Sequence, residues 1–218
     1  MSTLFSTIMF MAISKRAPRK QSRRYHHGNL RQALVEEALA TIRAEGVEAL
    51  TLRQIGARLG VSRTALYRHF ADKRALLTAV ATEGFRILHD QLLAAWEANG
   101  RARSAFDAMG AAYIDFALAN PSHYRVMFGR SGDLDDQAPE FAAEAEGAFQ
   151  ALADAIAALQ QQAAVRSGDV AMMALFVWSS VHGLAMLAVD GHLLDRAATD
   201  ELTRYAIAAL WTGIEVRS

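Results

Sequence analysis

Apolar residues recur every three to four positions along most of the chain, which is the spacing of one face of an α-helix. Ala, Leu, Glu, Arg and Gln fill the intervening positions, and no segment alternates apolar and polar residues as a half-buried strand does. Two short helices are predicted between residues 51 and 70, and longer ones cover residues 29–45, 72–99, 103–119, 121–128, 139–165, 170–189 and 199–216. The pattern therefore predicts an all-α protein.

The clearest local signal lies in residues 51–73, TLRQIGARLGVSRTALYRHFADK. Thr51 can cap the first short helix, Gln54 can complete a capping box with it, and Gly60 can end the helix. Ser62 can cap the second short helix. Two short helices joined by a tight glycine-containing turn form a helix-turn-helix, whose second helix fits the DNA major groove. A solvated pair of surface helices is the alternative.

A DNA-reading surface needs donors that reach base edges and cations that hold phosphates. Arg63 lies near the start of the second short helix, where an arginine can pair with guanine through two hydrogen bonds. Thr64 offers a methyl and a hydroxyl group to a thymine or a phosphate. The candidate DNA-contacting residues are Thr51, Arg53, Ser62, Arg63, Thr64, Tyr67, Arg68, His69 and Lys73.

The net charge of zero hides an uneven distribution. Residues 1–80 hold 14 of the 23 Lys and Arg residues but 5 of the 23 Asp and Glu residues. A basic first third followed by an acidic remainder indicates a polyanionic partner that docks at one end of the molecule.

Residues 1–24 consist of an apolar run, residues 1–13, followed by a basic run, residues 14–24. A secretory signal carries its positive charge before the apolar run, so the order here is reversed. We expect the basic run to be disordered without a partner and able to lie along phosphates or enter a minor groove. A solubilising tail is the alternative, and we expect translation to start at Met9 or Met11.

Residues 170–189 contain no Asp, Glu, Lys or Arg, so a membrane span must be considered. Ser179, Ser180 and His182 lie within the run, and no Lys or Arg flanks it, which argues against a span. A helix that is apolar all round is more often buried within a protein. We expect this helix and the one at 199–216 to pair with those of a second copy in a four-helix dimer interface.

The C-terminal part combines aromatic residues, methionines and a few polar groups, a composition typical of a small-molecule pocket. Most of these residues could equally form the core, and His182 could be an interior hydrogen-bonded histidine. The candidate effector-binding residues are Tyr113, Phe116, His123, Tyr124, Met127, Phe176, Trp178 and His182. Which subset lines a cavity is left open.

No catalytic residue, cofactor site or metal site is predicted. The chain has no cysteine, which excludes a disulfide framework, thiolate ligands and a cysteine nucleophile. None of the seven histidines follows a Glu at the spacing used in di-iron helical bundles. Nucleophile-elbow, phosphate-loop and zincin motifs are likewise missing from the sequence. A helical-bundle enzyme and a membrane-associated protein remain as remote alternatives.

The segments YHHGNLRQAL and EGVEALTLRQIGARLGVSRTALYRHFADKRALL, with the spacing between them, resemble the DNA-binding domain of the TetR family of transcriptional regulators over residues 25–80. Gly56 replaces the alanine usual there, which keeps the site small. A looser resemblance covers residues 110–190, where NPSHYRVMF and WSSVHGLAML are similar to C-terminal domains marked by Trp, three residues and His-Gly. Trp178 and His182 would then share one helix face.

The resemblance implies a homodimeric, ligand-responsive regulator, usually a repressor. We expect the dimer to bind palindromic operator DNA, and the absence of cysteine fits a cytoplasmic protein. It also implies that Tyr67 packs against DNA and that His69 and Lys73 contact phosphates. We therefore expect a basic arm with an apolar leader at 1–24, a helix-turn-helix domain at 25–71 and an effector-binding and dimerisation domain at 72–218. An activator and an effector-independent DNA-binding protein are the alternatives.

Overall fold

The computed structural model describes residues 30–129, 134–135, 137–193 and 195–216, so the basic arm lies outside the described residues. Within them the chain is helical, apart from an isolated antiparallel bridge between Val165 and Glu215. The all-α prediction is confirmed. The helices are α1 (Leu30–Glu45), α2 (Leu52–Leu59), α3 (Arg63–His69), α4 (Lys73–Ala98), α5 (Arg103–Ala119), α6 (Pro121–Met127), α7 (Pro139–Gln161), α8 (Val170–Val189) and α9 (Arg196–Ile214).

The ends of α2 and α3 are set by the side chains that the sequence indicated. The Thr51 hydroxyl accepts a hydrogen bond from the Gln54 amide at 3.3 Å and donates one to the Gln54 side chain at 2.8 Å. Gly60 ends α2 with a φ of 68°, a left-handed conformation that glycine adopts without strain. The Ser62 hydroxyl accepts from the Ala65 amide at 3.2 Å and so begins α3. The predicted helix-turn-helix is therefore confirmed.

The helices α1, α2 and α3, called the head below, are joined by buried apolar contacts and one arginine. Leu34, Ile55 and Leu66 are buried on their respective helices. Arg58 on α2 donates to the Thr41 hydroxyl of α1 at 2.8 Å and pairs with two glutamates of α1. A Cβ added at Gly56 would lie 3.2 Å from Leu66 Cδ2, so the glycine lets α2 and α3 approach closely.

The long helix α4 begins four residues after the head ends and belongs to the C-terminal bundle. Its buried side includes Leu76, Val80, Leu88 and Trp96. It packs against α5, α6 and α7, while α8 packs against α5 and α7, and α9 packs against α5 and α8. The helix α4 therefore follows the head along the chain and contacts three helices of the C-terminal bundle.

Two helix ends differ from the sequence prediction because of local backbone chemistry. The seventh helix ends at Gln161 instead of residue 165, since Ala163 adopts a φ of 54° and Val165 then pairs with Glu215. The ninth helix begins at Arg196 instead of residue 199, because the Asp195 side chain caps it.

The apolar helix α8 is buried along one side only. Val177, Val181 and Leu184 are buried, whereas Phe176 and Leu187 are about half exposed in the single chain. Among the described helices it is the one that is long and apolar enough to cross a membrane, judged by length and composition. Core helices of soluble proteins meet the same criterion.

Gly84 on α4 is the site where α6 lies closest, and replacing it with alanine should destabilise the fold. An added Cβ would lie 2.5 Å from Met127 Sδ and 3.1 Å from His123 Cβ, so α6 would have to move. We expect Gly84→Ala to lower the free energy of unfolding by about 1–3 kcal/mol, the usual cost of overpacking, measured by denaturant unfolding. In a Met127→Ala background this cost should fall by more than half. An equal cost in both backgrounds would contradict the contact.

Candidate nucleic-acid interface and interior cavity

The exposed side of α3 presents five polar side chains to solvent. Leu66 is buried within the head, so the opposite side of α3 faces solvent. No hydrogen bond or ion pair holds any of the five within the part of the chain that the structure describes. Their donors are therefore free for an external acceptor. The five residues are Arg63, Thr64, Tyr67, Arg68 and His69.

Thr51, Ser62 and Arg53 complete this surface in different ways. The hydroxyl groups of Thr51 and Ser62 are engaged as helix caps, so both position the helices that carry the other candidates. Arg53 lies in the first turn of α2 with an exposed side chain. The backbone amides at the start of α2 and α3 add partial positive charge to the same surface.

Lys73 is already bonded within the chain. Its ammonium group donates to the carbonyl oxygen of Val47 at 2.7 Å and to that of Glu48 at 3.4 Å. It therefore ties the first turn of α4 to the loop between α1 and α2. An ammonium has three protons, so one remains for a phosphate, and the expected phosphate contact stays a prediction.

The C-terminal bundle contains a cavity of about 370 Å³. Its walls come from α4, α5, α7, α8 and α9, with Phe128 beyond the end of α6. Leucine, phenylalanine and small residues dominate, and no charged side chain is among the lining residues. Polar groups are contributed by Tyr113 and Trp178.

These two residues belong to a hydrogen-bonded cluster on α5, α6 and α8. Trp178 Nε1 donates to the Tyr113 hydroxyl at 3.2 Å, and that hydroxyl lies 3.3 Å from the Tyr124 hydroxyl. His182 Nδ1 lies 2.7 Å from the Tyr124 hydroxyl and 3.1 Å from that of Tyr113. Burial raises the pKa of Tyr113 to about 12, raises that of Tyr124 and lowers the pKa of His182. The cluster is therefore uncharged at neutral pH.

The eight predicted effector-binding residues occupy five kinds of place. Tyr113 and Trp178 line the cavity, and the Tyr124 hydroxyl and His182 Nδ1 lie 3.3 Å and 3.1 Å from the Tyr113 hydroxyl. The other four residues are outside the lining: Phe116 is fully buried core, His123 and Met127 are buried on α6 against α4, and Phe176 is half exposed on α8.

Most of the cavity wall was not singled out from the sequence. The additional lining residues are apolar and share helical spacing with ordinary core positions, so periodicity alone cannot separate them from the core. They include Phe85, Leu88, Leu92, Phe106, Met109, Phe128, Phe149, Leu152, Ile207 and Leu210.

The side chain of Glu83, on α4, lies between the head and α6. Its Oε2 accepts from the Gln32 side chain of α1 at 3.2 Å, and its Oε1 lies 3.6 Å from His123 Nε2 of α6. Burial lowers the pKa of His123, with Arg43 adding to the effect and Glu83 opposing it. One side chain of α4 therefore contacts both the head and the helix that carries Tyr124.

Among the described residues, no group of three or more His, Asp or Glu side chains is placed to hold a metal ion.

Comparison with known proteins gives matches over both halves of the chain. Residues 34–80 match the family model of bacterial regulatory proteins of the tetR family, and residues 106–210 match that of tetracyclin repressor-like C-terminal domains. An uncharacterized HTH-type transcriptional regulator of Mycobacterium tuberculosis is 30% identical over 192 residues, covering 86% of this chain and 83% of the relative. The class C tetracycline repressor protein of Escherichia coli is 46% identical over 59 residues, 27% of each chain.

A solved structure shares the whole fold. A protein with unknown function from Rhodococcus sp. RHA1 is 33% identical, with a TM-score of 0.77 over 89% of this chain and 100% of that one. The structure has a capped helix-turn-helix with exposed donors, and the relatives of the chain are transcriptional regulators. Together these findings define a DNA-binding transcriptional regulator and not an enzyme. The chain belongs to the tetR family of bacterial regulatory proteins. The subclass marked by Trp178 and His182 stays a prediction.

Proposed function

We propose that the chain is a ligand-responsive repressor that binds palindromic operator DNA as a homodimer in the cytoplasm and is released by a small molecule. The proposed ligand response is supported by the cavity of about 370 Å³ beside α4, the helix that follows the head. That volume lies within the range of small-molecule sites, and its few polar groups converge at Tyr113. The proposed domains are the helix-turn-helix domain at residues 25–71 and the effector and dimerisation domain at residues 72–218.

DNA recognition is assigned to the exposed side of α3. Arg63 lies in the first turn, the part of a recognition helix that enters the major groove, with Thr64 beside it. Tyr67, Arg68 and His69 follow one turn later, where they can hold phosphates or pack against the backbone. Arg53 and Lys73 flank the same surface and would add cations.

The dimer interface is assigned to the exposed apolar side of α8 together with α9. Met172, Phe176 and Leu187 on α8 and Leu202 on α9 are exposed at 39–63% in the single chain. Exposed apolar side chains on neighbouring helices mark an association surface. A palindrome with half-sites one turn apart requires two recognition helices about 34 Å apart, and pairing two copies through this surface would supply the second one.

The proposed route from cavity to head runs along α6. A ligand that displaces Tyr113 would disturb the bond to Tyr124, and Tyr124 lies next to His123 on α6. His123 and Met127 rest against Glu83 and Gly84 of α4, and Glu83 is bonded to the head. A ligand shifts the equilibrium only by its differential affinity for the DNA-bound and released states.

Arg63 provides the test of the DNA-reading surface, because its side chain makes no bond within the described residues. In vitro selection from random duplexes should enrich an inverted repeat, which then serves as the operator. Arg63→Ala should leave the thermal midpoint unchanged and weaken operator binding by about 1–3 kcal/mol, measured by fluorescence anisotropy, with relaxed preference at one base pair per half-site.

The matched variant Lys73→Ala should behave differently. It loses the bonds to Val47 and Glu48, so we expect a lower thermal midpoint as well as weaker binding to all sequences alike. If no sequence is enriched, or if Arg63→Ala keeps full affinity and preference, the assignment of α3 to the groove is wrong.

The second test concerns the dimer. Phe176→Asp places a charge on the exposed side of α8, and burying it unpaired would disfavour association. We expect sedimentation velocity to show a dimer for the wild-type chain and a monomer for Phe176→Asp, with operator affinity lost in parallel. The control Leu93→Asp alters an exposed leucine of α4 and should remain dimeric. A dimeric Phe176→Asp would move the interface elsewhere.

A further inference from the structure

The chemistry of the cavity wall restricts what the cavity can hold. We propose that it binds an uncharged, mainly apolar molecule of two to three rings that carries a carbonyl or another acceptor oxygen, which accepts a hydrogen bond from the Tyr113 hydroxyl. This inference rests on the proposed function, since it names the class of effector for the same cavity.

The absence of charge follows from the lining residues. They comprise apolar side chains, glycine, alanine, Tyr113 and Trp178, with no acidic, basic or histidine side chain among those that the structure describes. A carboxylate or ammonium entering this space would lose its hydration without gaining an ionic partner, which is strongly unfavourable. The ligand therefore carries no net charge.

The volume sets the size. A dry cavity of about 150 Å³ lined by similar residues holds one benzene ring. The cavity here measures about 370 Å³, which corresponds to roughly two to three rings on that scale. Phe106, Phe128, Phe149 and Trp178 surround this space and offer faces and edges for ring contacts.

The polar group is assigned by counting protons in the hydrogen-bonded cluster. A hydroxyl oxygen and an imidazole nitrogen only 2.7 Å apart need a proton between them, so Tyr124 and His182 Nδ1 share one bond. Neutral Nδ1 carries either one proton or one lone pair, so its 3.1 Å contact with the Tyr113 hydroxyl competes with the shorter bond to Tyr124. Burial lowers the pKa of His182, which keeps the ring neutral.

The Tyr113 proton is left with a weak internal acceptor. The Tyr124 oxygen lies 3.3 Å away, well beyond the usual 2.7–2.8 Å of such bonds. The Tyr113 oxygen already accepts from Trp178 Nε1. The proton is therefore the part of this hydroxyl with the weaker internal partner, and a ligand that offers an acceptor oxygen fits it better than one that offers a proton.

Three probes of matched skeleton test this assignment by calorimetric titration. They are 2-acetylnaphthalene, which has a carbonyl acceptor, 2-isopropylnaphthalene, in which the carbonyl group is replaced by a hydrocarbon, and 2-naphthoate, which is charged. We expect wild-type protein to bind the ketone about tenfold more tightly than the hydrocarbon, the value of one buried hydrogen bond, and the naphthoate not measurably.

The variant Tyr113→Phe keeps the ring and removes the donor, so the preference for the ketone should fall to about one. Tyr205→Phe makes the same change on an exposed tyrosine outside the lining residues and should keep the preference. Equal affinity for ketone and hydrocarbon in the wild type, a preference that survives in Tyr113→Phe, tighter binding of the naphthoate, or no binding of either neutral probe would each overturn the inference.

A separate measurement distinguishes failure of this inference from failure of the proposed function. The selected operator is titrated with protein in the presence and absence of saturating 2-acetylnaphthalene. Reduced operator affinity supports both proposals. Ketone binding with the expected selectivity but unchanged operator affinity contradicts the ligand-responsive function and leaves the ligand class standing.

Discussion

The contact between α4 and α6 at Gly84 is the constraint on which the rest of the structure depends. With no side chain at that position, Met127 and His123 of α6 lie directly on the backbone of α4. This approach places Tyr124 in the hydrogen-bonded cluster with Tyr113 and His182. It also places His123 beside Glu83, which is bonded to the head. The cavity wall and the head are thereby connected through one small set of packed residues.

The two ends of α4 have different physical character. At its start, Lys73 is bonded to the loop that precedes the helix-turn-helix, so head and helix are fixed to each other by directional bonds. Further along, Leu88 and Leu92 line the cavity. A ligand bound there would contact the second half of the helix that follows the proposed DNA-binding head. Because one helix contacts both the cavity and the head, this arrangement supports the proposed ligand response.

The head could be predicted closely from the sequence because its signals are local. Thr51, Gly60 and Ser62 act within their own turns, and each side chain or backbone angle was found where the residue type required it. The family resemblance added expected roles for Tyr67, His69 and Lys73 at the DNA, which no local signal supplies. The bonds of Lys73 were not foreseen, since its partners lie 25 and 26 residues earlier in the chain.

The cavity could be predicted only in kind. Aromatic and methionine content indicated a pocket, yet Phe116 proved to be core while Leu88 and Ile207 line the space. Whether an apolar side chain meets a neighbour or a void is decided by packing among five helices, which a period of 3.6 residues cannot encode. The end of α7 and the start of α9 differed from the sequence prediction for local reasons. Ala163 adopts a left-handed backbone conformation after α7, and the Asp195 side chain caps the start of α9.

The most direct measurement of the proposed coupling needs no ligand. Leu152→Trp enlarges a side chain that lines the cavity, and Leu93→Trp makes the same change on an exposed site of α4. Affinity for the selected operator is measured for both variants and the wild type, with helical content checked by circular dichroism. We expect weaker operator binding by folded Leu152→Trp and wild-type binding by Leu93→Trp. Wild-type operator affinity in a folded Leu152→Trp would contradict the proposed coupling.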